Sequence, residues 1–171
     1  MTASSTSTPV RLHVSPQEVG PPSDAVHLTY EQRVRSRLAV QLESGRDATI
    51  VLPRGRVMRG GNRLRGEDGT VVEIVAAAEP LLEAQIEDAK LLARAAYHLG
   101  NRHVAVEVRD RSLRIARDPV LGSLLLQLGL APEEIEAPFE PESGAYGHSH
   151  AHISGVHAAA PMIHEFHHSH D

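Results

Sequence analysis

The stretch LLEAQIEDAKLLARAAYHLGNRHVAVEVRDRSLRIARDPVLGSLLLQLG, residues 81–129, decides the fold of this 171-residue chain. Leu81 to Ile86 reads as a strand. Glu87 to Leu99 reads as a helix: acidic residues open it, Leu92, Ala95, Ala96 and Leu99 recur at helical spacing, and Gly100 follows its end. Acidic groups suit the positive end of a helix dipole, and a glycine past the last turn accepts the left-handed backbone that closes it. Val104 to Val108 and Leu113 to Ala116 alternate apolar and polar about an Arg109 to Ser112 turn, which predicts a hairpin. Asp118 then caps a second helix, Pro119 to Leu128, with proline at its first position and Gly129 after it. Glu134 to Phe139 adds a last strand, and the order becomes βαββαβ, the ferredoxin-like split arrangement.

Upstream, Leu38 to Leu42, Thr49 to Leu52 and Thr70 to Val75 are short apolar stretches separated by turn clusters such as Ser44-Gly45-Arg46-Asp47 and Glu67-Asp68-Gly69. Strands at that spacing predict a small β-rich domain. The first 26 residues mix Ser, Thr, Pro and Gly without apolar periodicity and read as a flexible leader. After Pro141 large apolar residues nearly vanish, so the end of the chain cannot bury enough surface to offset its entropy. The expected class is α+β: a leader over 1–26, a β-rich domain over 27–77, a ferredoxin-like domain over 78–140 and a flexible His-rich tail over 141–171.

Composition narrows the chemistry. With no cysteine, thiol nucleophiles, disulfides, Cys-ligated zinc and iron–sulfur clusters are excluded. No apolar run approaches the roughly 20 residues that span a bilayer, and the N-terminus lacks the charged and apolar regions of a secretory signal, so the expected location is cytoplasmic with no membrane partner. The net charge of −5 is unevenly spread: residues 1–75 carry 10 arginines against 8 acids, whereas acids dominate beyond. There is no phosphate-binding GxxxxGK[ST] loop, no HExxH helix and no marked nucleophile elbow, and the expectation is that the protein is not an enzyme.

Twelve histidines stand out, and eight of them, His148, His150, His152, His157, His164, His167, His168 and His170, fall in the last 24 residues. Neutral imidazole suits Ni(II), Cu(II) and Zn(II), and a run of imidazoles on a pliable chain can wrap a divalent ion at small geometric cost. Such a tail collects metal without selecting among metals. His103 lies where the chain leaves the first helix of the second domain; spacing alone reads it as a solvent-facing ring or a partner of the helix C-terminus. His98, five residues earlier, points about 140° away on a continuing helix and would not share one metal with it. It reads as a surface histidine or an auxiliary residue beside the site.

The string HLGNRH from His98 to His103, the segment PFEPESGAYGHSH from Pro138 to His150 and the His-rich end together resemble the UreE family of urease accessory proteins. LPRG at Leu52 to Gly55, the pair Arg33 and Arg37, the Glu67-Asp68-Gly69 turn and Asp118-Pro119-Val120-Leu121 extend the resemblance over about residues 28–152. The resemblance implies an N-terminal peptide-binding-like domain and a C-terminal metal-binding domain. It implies a homodimer formed through the second domain, with His103 of both copies at the two-fold axis. An isologous interface brings the same residue from two chains together. His148, His150 and His152, with His167, His168 and His170, would complete the sphere around Ni(II), with Zn(II) or Cu(II) able to substitute in vitro. The implied role is delivery of nickel for urease active-site assembly, with the urease maturation GTPase and the apo-urease accessory complex as partners; the alternative is a His-rich metal buffer or storage protein. The family's auxiliary histidines after the hairpin are replaced here by Arg117, Asp118 and Pro119.

Nine arginines between Arg33 and Arg65 form a basic stretch with only three acids between Ala25 and Gly66. It reads as a solvated face or as a docking surface for an acidic protein. No aromatic residues interleave with the arginines to stack bases, so nucleic acid is not expected as a partner.

Overall fold

The computed structural model describes residues 9–14 and 20–143. Two sheets carry the fold. The first has six strands: β1 (Val10–His13), β2 (Asp24–Leu28), β3 (Arg37–Gln41), β4 (Asp47–Val51), β5 (Arg63–Gly66) and β6 (Val71–Ala76), ordered β2-β6-β5-β1-β4-β3. Alternation sends Leu12, Val26, Ile50, Leu64, Val72 and Ile74 into one core, while Arg11, His13, Arg63 and Arg65 face outward. A one-turn helix, α1 (Tyr30–Arg33), follows β2 and is closed by a reciprocal cap: the Thr29 hydroxyl accepts from the Gln32 amide, and the Gln32 side chain accepts from the Thr29 amide.

The leader expectation over 1–26 is corrected here. Val10–His13 is an internal strand, parallel to β4 and antiparallel to β5, with Leu12 fully buried. Four residues give too little alternation to stand out from their Ser/Thr/Pro surroundings, and the strand owes its stability to partners some 35 to 55 residues away.

The second sheet contains β7 (Ala78–Gln85), β8 (Glu107–Val108), β9 (Ser112–Ala116) and β10 (Pro132–Pro138), ordered β10-β7-β9-β8 with every pair antiparallel. Helices α2 (Ala89–Gly100) and α3 (Pro119–Gln127) connect β7 to β8 and β9 to β10. The class is α+β, and the order βαββαβ with this strand sequence is the ferredoxin-like arrangement. Asp88 and Asp118 cap the two helices, each accepting from amides of the first turn. Ala95 and Leu99 of α2 and Leu125 of α3 pack with Leu113 and Ile115 of β9.

The strand expected over Val104 to Val108 shrinks to Glu107–Val108 for a physical reason. Val104 spends its amide on the Leu99 carbonyl, 3.3 Å away, and the Val106 carbonyl accepts from Glu142 at 2.8 Å, so neither is free for β9.

A strap, residues 139–143, joins the two units. Arg33 is 0% exposed and donates to the carbonyls of Leu28, Met58 and Phe139 and to the Glu140 carboxylate at 2.8 Å. Arg59 donates to the same carboxylate at 3.1 Å, to the Pro141 carbonyl at 2.6 Å and to the Ser143 hydroxyl at 2.9 Å. From the other side, the Glu140 amide donates to Glu107 and the Glu142 amide to Val106. Burial pushes the Glu140 carboxyl up, but the Gly60 amide, the Arg59 hydrogen bond and the Arg33 charge outweigh it and hold the group below its ordinary value.

Candidate metal centre

His103 stands at the end of α2 in a conformation that sets it apart. Its φ is +56°, and among the described residues it is the one non-glycine in the left-handed region. The hydrogen bonds explain why. The Val104 amide reaches back to the Leu99 carbonyl and the His103 amide to Gly100, at 3.3 and 2.9 Å, the paired 6→1 and 5→2 closure of a Schellman cap. Leu99 and Val104 pack together in the second core, as the apolar contact across such a cap requires.

The expectation that Gly100 supplies the left-handed residue is therefore corrected: Gly100 is the last residue of α2, and the reversal falls three residues later. A histidine at the reversal gives up about 1 kcal/mol relative to glycine. It gains a backbone held from both sides, and its ring is exposed rather than packed.

His98 is half-buried on the last turn of α2, with its ring edge-on to Tyr97 at 5.5 Å and its carbonyl accepting from Arg102 at 3.2 Å. No group of three or more His, Cys, Asp or Glu side chains converges among the described residues, so His103 of one chain has no co-ligands there. His148, His150, His152, His167, His168 and His170 lie outside the described residues.

The strap brings the base of the tail to the same neighbourhood. Glu142 bonds to Val106, three residues beyond His103, before the chain continues toward His148. Five residues separate Ser143 from His148 in sequence, a span of at most about 17 Å when extended. Arg33, which the sequence offers as one of a matching pair with Arg37 and as the first of nine arginines in a basic stretch, is instead fully buried in the strap; that position has no local signal, because an isolated arginine in a polar stretch reads as surface.

Helices α2 and α3 expose large apolar side chains: Tyr97 is 64% exposed, Val120 75% and Leu126 62%. On the second sheet the charges are mutually engaged. Glu83 accepts from Ser112 at 2.9 Å and Arg114 at 3.1 Å, and Glu107 pairs with Arg109 at 2.8 Å. Burial raises the Glu83 carboxyl, but the Ser112 and Arg114 hydrogen bonds outweigh it and leave the group below its ordinary value. No helix among the described residues is long and apolar enough to cross a membrane.

Comparison with known proteins places these features in a family. Residues 11–77 match the UreE urease accessory protein N-terminal domain, and residues 79–171 match the C-terminal domain. The urease accessory protein UreE of Dechloromonas aromatica is 47% identical over 160 residues, covering 84% of this chain and 91% of that one. Those of Ralstonia nicotianae and Burkholderia pseudomallei are 47% and 45% identical, covering 82% and 84% of this chain and 69% and 73% of theirs. The family is one of accessory proteins rather than enzymes. With both units matched and identity near one half over most of its length, the chain belongs to the UreE urease accessory protein family.

Proposed function

We propose that the protein acts in urease maturation as a nickel carrier, with His103 as the ordered anchor of a metal site shared by two copies of the chain. The observation that carries the reading is the cap itself: an exposed imidazole held in a left-handed conformation where a glycine would be more stable. The exposed Tyr97, Val120 and Leu126 support a second copy against the two helices, which would bring two His103 rings together on a two-fold axis. The anchored strap supports completion of the sphere by His148, His150 and His152, with His167, His168 and His170 collecting further ions.

Such a site suits carriage rather than storage. Imidazole ligands exchange and compete with protons, so affinity should fall steeply from about pH 7.5 to about pH 5.5. Zn(II) and Cu(II) should also bind in vitro, as the divalent series favours Cu(II) in nearly any nitrogen site. The recipient side comprises the urease maturation GTPase and the apo-urease complex in the cytoplasm.

Isothermal titration of Ni(II) into the intact protein, a form ending at Gly147 and His103→Ala, with mass read by light scattering, tests the proposal. The expected result is loss of the tightest site, near one ion per dimer, in His103→Ala, while truncation mainly lowers the number of ions. If His103→Ala titrates like the intact protein and truncation removes all binding, the tail alone handles the metal and the buffer reading replaces this one.

A further inference from the structure

The outer face of the first sheet carries charge that nothing in the fold uses. Arg11, Arg37, Arg54, Arg56 and Arg65 are exposed, and among the described residues none makes an ion pair or a side-chain hydrogen bond. Their neighbours differ: Arg35 pairs with Glu31, Arg46 with Asp68 and Arg63 with Glu73.

Register places the unpaired set together. Arg37 lies opposite Val51, Leu12 lies beside Ile50 so that His13 reaches the level of Val51, and His13 lies opposite Arg65. One row across β3, β4, β1 and β5 thus reads Arg37, Val51, His13, Arg65. At about 4.8 Å per strand, its two end guanidiniums spring from backbones roughly 14 Å apart. Arg11 sits two residues from His13 on the same face, and Arg54 and Arg56 occupy the turn that leaves β4 beside Arg37.

Between these cations the floor is small and neutral at Ala39, Thr49 and Val51, the last 40% exposed, and the one carboxylate on this face of β4, Asp47, lies at the far end of the strand from the Arg37 row. A shallow depression of about 380 Å³ runs along the same strands, lined by Pro9, Ala39, Val40, Gln41, Asp47, Ala48 and Thr49. β3 is the edge of the sheet, open on one side.

We propose that this face docks an extended acidic segment of a partner protein, whose carboxylates meet the guanidiniums across the four strands. Guanidinium forks match carboxylates two bonds at a time, and unpaired arginines around a small-residue floor favour a packed polypeptide. Nucleic acid fits less well: the face offers no aromatic ring to a base, and the remainder of the chain is acidic enough to repel a long polyanion. The proposal is independent of the nickel site, which lies on the other unit.

The test uses the full chain and the double variant Arg37→Glu/Arg65→Glu, with Arg94→Glu on α2 as an exposed control that carries the same charge change per site. The probes are a fluorescein-labelled peptide alternating Glu with Val and Ser, and a labelled DNA duplex of equal net charge. Peptide binding should weaken at least tenfold in the double variant and less than twofold in Arg94→Glu, and should decline with salt as exposed pairs are screened. Nickel titration of the double variant should match the unaltered protein while its support of urease activation in cells falls. Peptide affinity within twofold of the unaltered protein, tighter binding of the duplex than of the peptide, or undiminished activation would overturn the assignment.

Discussion

The two sheets treat their arginines in opposite ways. On the second, Arg109 and Arg114 interlock with Glu83 and Glu107, and Arg117 meets Glu134 across the strands. On the first, Arg11, Arg37 and Arg65 make no ion pair among the described residues. The Glu83, Glu107 and Arg114 cluster is internal architecture, because its side chains are only 10–16% exposed and removing one leaves the others desolvated and short of a partner. The unpaired arginines of the first sheet, unlike Arg46 and Arg63, make no bond within the described fold and are available to a partner. Counting arginines hides this difference, and the location of their acids reveals it.

The contrast can be broken or sharpened by substitution. Arg33 belongs wholly to architecture: Arg33→Met should cost about 3 kcal/mol in urea denaturation, since three buried carbonyls and part of the Glu140 carboxylate lose their donor. A loss below about 1 kcal/mol would mean that the strap adds little to the union of the two units. Glu83→Gln should cost about 1–2 kcal/mol near neutral pH. Because the Glu83 carboxyl sits below its ordinary value, its contribution is present above that value and fades as pH falls through the folded one, so the variant should also show a flatter acid limb.

His103→Gly should move the other way and gain about 1 kcal/mol while abolishing the tightest nickel site; a stability loss would show that the ring itself packs and that the cap does not strain it. Arg65→Gln should stay within about 0.5 kcal/mol of the unaltered protein, and a larger cost would reassign the first face to architecture.

Much of the second unit is legible because local signals agree. Asp118 caps, Pro119 begins and Gly129 follows α3, while the hairpin alternates on both sides of its turn. What escapes local reading is what distant pairing decides. Val10–His13 is a strand only because β4 and β5 flank it, and Arg33 is buried only because Phe139 and Glu140 arrive from over one hundred residues away. The cap falls between these cases. Gly100 is the conventional candidate for the left-handed residue, yet α2 runs one residue past Leu99, and the two residues that follow, Asn101 and Arg102, carry the closure to His103. The family resemblance singled out His103, and the backbone supplies a reason for its poise that spacing alone does not contain.

The strap also decides which parts of this chain can change length. Deleting one residue between Phe139 and Glu142 would move Glu140 off Arg33 and Arg59, and both units would feel it. Ser143 is the last of the described residues that Arg59 grips. The length of residues 139–143 is thus fixed from two directions at once, by the guanidiniums of Arg33 and Arg59 on one unit and by Val106 and Glu107 on the other.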